Sequence, residues 1–207
     1  MSAPVVVLGI DPGLTRCGLG LVRGPVSRPE LVHQDCVRTD RERPLEQRLL
    51  AIHDAIVATI DDHRPDAVAV ERVLFSSNVR TAMATGQAAG VALLAAARAG
   101  VPVASYSPSD VKLTVAGAGD ADKDAVARLV TAQLRLAGVP RPADVADALA
   151  VALTHLARGR LAAVVAGTPA ATELQAAAGA AVRQSRGGWE AHLAARGLLP
   201  PAGGSRR

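Results

Sequence analysis

The order of strand-like and helix-like patterns constrains the fold of this chain more than any other feature. Three strands come first, after which strands alternate with helices; the strands are predicted at residues 4–10, 17–23, 30–38, 66–71 and 101–106. The spacing of apolar residues predicts helices at about 45–60, 79–99, 108–117, 122–136 and 144–158. Three initial strands followed by this alternation predict an α/β fold, with helices packed on a mixed sheet.

The composition is typical of one globular domain with a tail. The chain has 207 residues, of which 49% are hydrophobic but only 1% aromatic, so Val, Leu, Ile and Ala must build the core. The segment beyond residue 164 is rich in Ala, Gly and Pro. We therefore predict a domain at 1–164 and a low-complexity, flexible tail at 165–207. Within this tail, Trp189 is either a docking point or part of a packed tail helix.

The charge balance limits how the chain binds an acidic partner. Its 23 basic and 19 acidic residues give a net charge of +4, and the five Arg and two Glu of the tail supply +3 of it. The other 18 basic and 17 acidic groups nearly cancel, so nucleic acid would have to bind to a local patch.

Sequence features also indicate the compartment. The first residues lack the pattern of a signal peptide, and no uncharged apolar run approaches the ~20 residues of a membrane span, so we expect a cytoplasmic protein without a membrane partner. The two cysteines, Cys17 and Cys36, lack metal-ligand spacing. They are predicted to be buried, reduced thiols.

Carboxylates end two of the predicted strands. Asp11 follows VVVLGI, and Glu71 follows DAVAV. If these strands are parallel neighbours, both acids emerge at one edge of the sheet, where they repel each other unless a cation lies between them. Hard oxygen ligands of this kind suit Mg²⁺ or Mn²⁺. Taken singly, each acid is also compatible with an ordinary strand end, Asp11 as a turn former and Glu71 as a solvated charge.

A second pair of acids begins the last predicted helix of the domain. Asp144 and Asp147 are three residues apart, so their side chains share one helix face. They either cap the helix or, if its first turn docks at the strand ends, join Asp11 and Glu71. His155 lies about 12 Å farther along the same helix, too far to share a metal with Asp147, and is expected to be structural.

Five stretches of the chain resemble the RuvC family of Holliday-junction resolvases, which belongs to the RNase H-like nuclease superfamily. They run in the family order from residue 8 to 155: GIDPGLTRCGLGLV, VAVERVLFSSN, TGQAAGVALLAA, SPSDVKLTVAGAGDADKDAV and ADVADALAVALTH. The resemblance implies a mixed five-stranded sheet flanked by helices on both sides. It also implies two Mg²⁺ ions per active site, replaceable by Mn²⁺, held by the catalytic and metal-binding carboxylates of Asp11, Glu71, Asp144 and Asp147.

The same resemblance implies two lysines that contact DNA. They correspond to Lys112 and Lys123, the only lysines in the chain. Lone lysines are more commonly just solvated surface. The Gly-rich GAGDADK segment between these two nevertheless favours phosphate contact.

A loop after the fourth strand is expected to reach the bases. In the family, an aromatic residue three positions after the strand-end Glu stacks on a base, but this chain has Leu74 there and Phe75 next to it. Phe75 either takes over the stacking or packs in the core. Arg72 and Arg80, at the two ends of this loop, are further DNA-binding candidates.

These features lead to one functional hypothesis. We predict metal-dependent hydrolysis of four-way DNA junctions in recombination and repair, giving 5′-phosphate and 3′-hydroxyl ends. Paired, symmetric cutting requires two equivalent sites, so a homodimer is expected. Small residues of the helix at 79–99 offer a contact surface, although burial against its own sheet also explains them. The resemblance further implies the RuvA–RuvB branch-migration complex as a partner.

Three other functions fit the sequence less well. An actin-like phosphotransferase or ATPase shares the opening Asp-x-Gly but needs a second domain. A non-catalytic module that binds branched DNA would be expected to lack at least one of the four carboxylates. A related RNase H-like nuclease for another structured nucleic acid, such as an enzyme that processes pre-16S rRNA, is disfavoured by the paired lysines and the DVADALA segment.

Overall fold

The computed structural model describes the backbone of residues 4–72 and 79–166, and side chains as far as residue 159. The chain divides into two compact units, Met1–Gly159 and Arg160–Arg207. Trp189 lies outside the described residues, and the proposed domain boundary after residue 164 stays a prediction. Within the described ranges, no helix is long and apolar enough to cross a membrane.

Five strands form one mixed sheet. They are β1 (Val6–Asp11), β2 (Arg16–Arg23), β3 (Glu30–Arg38), β4 (Ala67–Glu71) and β5 (Val103–Tyr106). Their order is β3-β2-β1-β4-β5; β2 is antiparallel to both of its neighbours, whereas β1 and β4, and β4 and β5, are parallel. The predicted mixed five-stranded sheet is confirmed, and β1 lies at its centre.

Helices cover both faces of this sheet, as the resemblance implied. They are α1 (Leu45–His63), α2 (Val79–Arg98), α3 (Pro108–Ala116), α4 (Lys123–Gln133) and α5 (Ala143–Ala166). Successive side chains of a strand point to opposite faces. Leu8 therefore packs in the core formed with α1 and α2, while Val7 packs in the core formed with α3, α4 and α5.

Most predicted bounds agree with the structure within three residues, but the end predicted for α5 was wrong. The apolar spacing predicts an end at about residue 158, just before Gly159. The helix instead continues to Ala166. A single glycine costs a helix only about 1 kcal/mol, which the flanking turns can offset.

The two cysteines occupy opposite faces of the sheet. Cys17 lies in the core beneath α1 and α2, and Cys36 packs against the core beneath α3 to α5. Both are free thiols, as predicted, but only Cys17 is buried; Cys36 lies on the edge strand β3 and is partly exposed. Burial raises the pKa of the Cys17 thiol to about 12, so this group is an unreactive part of the core.

Glycines in the β1–β2 hairpin allow α5 to lie directly on the strands. A Cβ atom on Gly9 would stand 2.1 Å from the carbonyl oxygen of Ala148, and one on Gly18 would stand 1.9 Å from that of Asp144. Both distances are far below van der Waals contact, so only glycine fits at these positions. Gly18 is paired with Asp11 in the sheet. The hairpin glycines therefore bring the first turn of α5 beside the end of β1.

Candidate active site

The two strand-end acids lie side by side. β1 and β4 are parallel neighbours, with Ile10 opposite Val70, so Asp11 and Glu71 follow at the same edge of the sheet. This juxtaposition confirms the arrangement predicted from the two apolar runs. The two carboxyl groups lie close enough to share a proton, because each shifts the pKa of the other through a side-chain contact. At least one of them must hold a proton to make that contact.

Burial and neighbouring charge strongly perturb this pair. Burial raises the pKa of Asp11 to about 8, with further increases from the charges of Glu71, Asp147 and Asp144. Burial also raises the pKa of Glu71, and the hydrogen bond from Asp11 partly offsets that increase. The pair therefore carries less than two full negative charges near neutral pH when no cation compensates them.

The two acids of α5 each face a cationic side chain from another element. Asp144 Oδ2 lies 2.9 Å from Arg16 Nε at the start of β2. Asp147 Oδ2 lies 3.0 Å from Lys123 Nζ at the start of α4. Both acids also contribute to the raised pKa of Asp11. The charges of Glu71, Asp144 and Asp147 thus all act on Asp11, and we refer to these four acids as the carboxylate cluster.

The chemistry of this group suits divalent cations. It offers four hard carboxylate ligands, and their mutual repulsion is what a cation would relieve. Asp144 Oδ2 is fully buried yet accepts no hydrogen bond from any described residue. No three His, Cys, Asp or Glu side chains within the described ranges are grouped so that they could hold a metal as they stand. If a divalent ion binds here, side chains must move, and Asp144 and Asp147 must part from their cationic partners.

The two candidate lysines differ in their surroundings. Lys123 is the first residue of α4, whose N-cap Asp122 accepts a hydrogen bond from Ala125 N at 2.6 Å. The ion pair with Asp147 raises the pKa of Lys123, so its ammonium group stays charged beside the carboxylates. Lys112 lies half-buried on α3 and forms no ion pair with a described residue.

His155 is part of a structural contact away from the acids. Its Nδ1 lies 2.9 Å from the hydroxyl oxygen of Tyr106 on β5. Burial lowers the pKa of His155, which favours the neutral imidazole. This contact agrees with the structural role that its distance from Asp147 predicted.

The arginines around the 72–80 loop have different environments. The backbone N–H of Arg72 donates to the Tyr106 carbonyl at 2.7 Å, and its guanidinium lies 3.4 Å from the Ser105 carbonyl. Arg80 is exposed in the first turn of α2. Leu74 and Phe75 lie outside the described residues, so the expected base stacking stays a prediction.

A wide basic cleft opens beside the carboxylates. It has a volume of roughly 1140 Å³ and lies between the turn after β1, the start of α1 and the first half of α2. Its charged lining consists of one acid, Asp144, and four arginines: Arg16, Arg41, Arg48 and Arg80. This surplus of positive charge at the edge of the site favours a polyanionic ligand such as a nucleic-acid strand.

Sequence reasoning missed the role of Arg48. Its guanidinium donates to Thr39 Oγ1 at 2.9 Å, to the Leu14 carbonyl at 3.3 Å and to Thr15 Oγ1 at 3.0 Å. These bonds tie the turn after Asp11 to the end of β3 and to α1. A signal was present, because Arg48 stands four residues before Ile52, on the otherwise apolar stripe of its helix.

Replacing Arg48 with Met is expected to destabilise the domain. Met keeps the apolar stem but removes three part-buried hydrogen bonds, each with a net worth of roughly 0.5–1.5 kcal/mol. We expect a loss of about 2–4 kcal/mol in the free energy of unfolding, measured by urea denaturation. Arg28→Met, in the exposed turn at the far end of the sheet, is the control and should change stability by less than about 0.5 kcal/mol. Equal small effects in both variants would contradict the role given to Arg48.

Comparison with known proteins places the whole domain in one family. Residues 7–155 match the family model described as "Crossover junction endodeoxyribonuclease RuvC". Relatives with this name include that of Salinispora arenicola, 56% identical over 154 residues that cover 74% of this chain and 88% of the relative. That of Leifsonia xyli is 48% identical over 187 residues, covering 89% and 90%.

Solved structures agree with these sequence matches. "T. thermophilus RuvC in complex with Holliday junction substrate" is 42% identical, with a TM-score of 0.74, covering 76% of this chain and 96% of that one. A yeast mitochondrial Holliday junction resolvase shares the fold at 15% identity and a TM-score of 0.51, covering 72% and 78%. Because the family model spans most of the chain and the named relatives exceed 45% identity, this chain belongs to the RuvC family of crossover junction endodeoxyribonucleases.

Proposed function

We propose that this chain resolves four-way DNA junctions in the cytoplasm by paired, symmetric, metal-dependent phosphodiester hydrolysis, during recombination and repair. The observation that carries the proposal is the gathering of Asp11, Glu71, Asp144 and Asp147 at one edge of the sheet, beside a basic cleft. The membership in the RuvC family gives the reaction class. The Thermus relative, solved with a Holliday junction substrate, gives the substrate.

The four carboxylates would hold two Mg²⁺ ions, or Mn²⁺ in their place. Bound there, such ions supply an activated water and stabilise the leaving 3′ oxygen, which yields a 5′-phosphate and a 3′-hydroxyl. The protein's own contribution is to position these ligands: β1 and β4 fix Asp11 and Glu71, and α5 fixes the other two. Since all four acids serve as ligands, none of them has to act as the general base.

Positive side chains would hold the DNA backbone. Lys123 lies beside the carboxylate cluster and can neutralise the charge of a phosphate that enters it. Arg80 lines the cleft. Lys112 on α3 and Arg72, directly after β4, complete the proposed DNA contacts. Phosphate contacts of this kind set affinity and orientation, whereas base contacts near Phe75 would set the sequence preference.

The decisive test is cleavage of a synthetic four-way junction by the purified full chain. We expect Mg²⁺-dependent cuts at symmetric positions on two strands, with much slower cleavage of linear duplex and RNA–DNA hybrid of the same sequence. Preferential cutting of the hybrid would indicate a different RNase H-like nuclease. Tight junction binding without any cleavage, in Mg²⁺ and in Mn²⁺, would indicate a non-catalytic binding module.

Replacing Lys123 with Gln is expected to weaken both binding and cleavage of the junction. Loss of one phosphate contact should reduce the slope of log affinity against log salt by about 1. Fluorescence anisotropy at several salt concentrations measures this slope. Arg28→Gln removes the same charge from the exposed turn at the opposite end of the sheet and should leave the slope unchanged. An unaltered slope for Lys123→Gln would show that this lysine does not contact phosphate.

Paired cutting also requires two sites, and the exposed face of α2 offers a dimer contact. Val79, Met83 and Leu94 are 68%, 62% and 54% exposed there. Gly86 and Gly90 have no atom within 4 Å of an added Cβ, so a second helix could approach the backbone closely. A second copy of this chain fits such a face, because twofold symmetry would then present two equivalent sites to the junction.

Partnership with the RuvA–RuvB complex remains a prediction from the family resemblance.

Leu94→Asp is expected to break this dimer, since it puts a charge in an apolar contact. Sedimentation at micromolar concentration should show a monomer, and a cruciform plasmid should be nicked on one strand rather than cut on both. Leu50 on α1 is 57% exposed and provides the matched control, so Leu50→Asp should remain dimeric. A dimeric Leu94→Asp variant would exclude this face of α2 as the interface.

A further inference from the structure

Arg16 lies between the carboxylate cluster and the basic cleft. It is the first residue of β2, lies 2.9 Å from Asp144 Oδ2, and lines the cleft with Arg41, Arg48 and Arg80. Its side chain is 56% exposed, whereas that of Asp144 is only 18% exposed. Arg16 can therefore change partners without disturbing core packing, but the acid cannot leave the site.

The contact between these two residues is close but poorly formed. Although Arg16 Nε is within hydrogen-bond distance, Asp144 Oδ2 accepts no aligned hydrogen bond from the described residues and has no contact with solvent. A buried carboxylate oxygen in this state retains unused capacity for a cation. The ion pair thus compensates the charge of Asp144 without satisfying its oxygen.

Arg48, which also contacts the turn after β1, cannot change partners in the same way. Arg48 is held by Leu14, Thr15 and Thr39, so its position is fixed by the protein. Among the described residues, Arg16 has one ion-pair partner, and that partner is one of the four acids proposed as metal ligands. A cation at Asp144 would compete with Arg16 for the same oxygen and would release its guanidinium toward the cleft.

We propose that Arg16 is an exchangeable cation: it compensates Asp144 in the metal-free protein and moves to a DNA phosphate in the cleft when a divalent ion takes that carboxylate. The inference rests on the proposed function, because it takes the four acids as the metal site and DNA as the ligand of the cleft. Its consequence is that metal binding adds one phosphate contact, so the ion strengthens DNA binding as well as enabling hydrolysis.

The first test uses Mn²⁺ alone, without DNA. Full-length wild-type protein and the Arg16→Gln variant are titrated with Mn²⁺, and free ion is measured by its paramagnetic resonance signal. Removing a competing cation should tighten Mn²⁺ binding by roughly 2- to 10-fold, the range expected for a partly exposed ion pair. If Arg16 instead serves only to anchor the start of α5, its loss should weaken Mn²⁺ binding or leave it unchanged, and either result overturns the proposal.

The second test measures how junction affinity depends on salt, with Ca²⁺ or with EDTA. A gel run after each Ca²⁺ titration verifies that the junction has not been cut. For wild type, Ca²⁺ should steepen the slope of log affinity against log salt by about 1 relative to EDTA. Arg16→Gln should lose this increment and Arg16→Lys should retain most of it, while Arg28→Gln should behave as wild type. An increment that survives in Arg16→Gln contradicts the exchange.

The two tests separate this inference from the proposed function. If wild type does not bind or cut junctions, the proposed function fails, and the Mn²⁺ titration still reports whether Arg16 competes for Asp144. If wild type cuts junctions but Arg16→Gln neither tightens Mn²⁺ binding nor loses the salt increment, only the exchange is wrong.

Discussion

Replacing Asp11 with Asn is expected to abolish junction cleavage while leaving junction binding measurable. The change would remove one of the four proposed metal ligands, next to Glu71 on the paired strand. A metal ion stabilises the charge of the transition state by several kcal/mol. Because each 1.36 kcal/mol changes the rate tenfold, we expect the cleavage rate to fall by about 10³-fold or more. Single-turnover cleavage and anisotropy on the same four-way junction measure the two effects. Full activity in this variant would refute the assignment of the metal site.

The same substitution should make the metal-free protein more stable at pH 8. The folded-state pKa of Asp11 is raised, by burial first and by Glu71 next, from 3.8 to about 8. Folding therefore favours the protonated acid, so the contribution of Asp11 to stability is fully present below about pH 4 and is lost as pH rises toward 8. Asn stays neutral at every pH. We expect Asp11→Asn to gain on the order of a few kcal/mol at pH 8 in EDTA, which corresponds to several degrees in melting temperature.

Thermal unfolding at pH 4, 6 and 8 checks this sign. The advantage of Asp11→Asn over wild type should grow with pH and should shrink when Mn²⁺ is added, because a bound cation offsets the repulsion in wild type. Asp62→Asn, an exposed acid on α1, is the control and should show little pH-dependent difference. A variant that is less stable than wild type at pH 8 would mean that the carboxylates do not repel one another in the folded protein.

Replacing Gly18 with Ala is expected to disturb the structure more than the same change at any other described glycine. The added Cβ would stand 1.9 Å from the Asp144 carbonyl oxygen and 2.5 Å from its carbonyl carbon. These are backbone atoms, so rotation of a side chain cannot relieve the clash. The first turn of α5 must move away, taking Asp144 with it. We expect a loss of about 3 kcal/mol or more in stability and a fall in cleavage rate of about 10²-fold.

Gly138→Ala provides the matched control for this prediction. An added Cβ at Gly138 meets nothing within 4 Å, so the change should be neutral or should stabilise by less than about 1 kcal/mol through the unfolded state. Urea denaturation gives the stability, and single-turnover cleavage of the junction gives the rate. If Gly18→Ala behaves like Gly138→Ala, α5 does not lie against the hairpin as closely as described.

The part of the site that depends on strand pairing was predictable from the sequence. Asp11 and Glu71 each end a short apolar run, and a parallel pair of such strands can place the two acids only at one edge. The spacing of Asp144 and Asp147 similarly restricted them to one helix face. These arguments use backbone geometry, which follows from local pattern. Whether the four acids act as metal ligands remains a proposal.

The contacts that hold the acids could not be predicted in the same way. Arg16 meets Asp144 and Lys123 meets Asp147 across segments that are distant in sequence, and many other charged pairs would have satisfied the same composition. The position of α5 depends on Gly9 and Gly18, which the sequence presents only as glycines within strands. Such glycines indicate close approach of some backbone, but they do not say which one.

The distribution of the acids along the chain also bears on how the protein is made. Asp11 lies on the first strand and Asp147 on the last helix of the first unit. The carboxylate cluster therefore forms only when segments from the two ends of that unit come together. A nascent chain that has not yet released α5 from the ribosome cannot assemble the four acids. If these acids form the active site, a copy of the chain truncated before α5 is expected to be inactive.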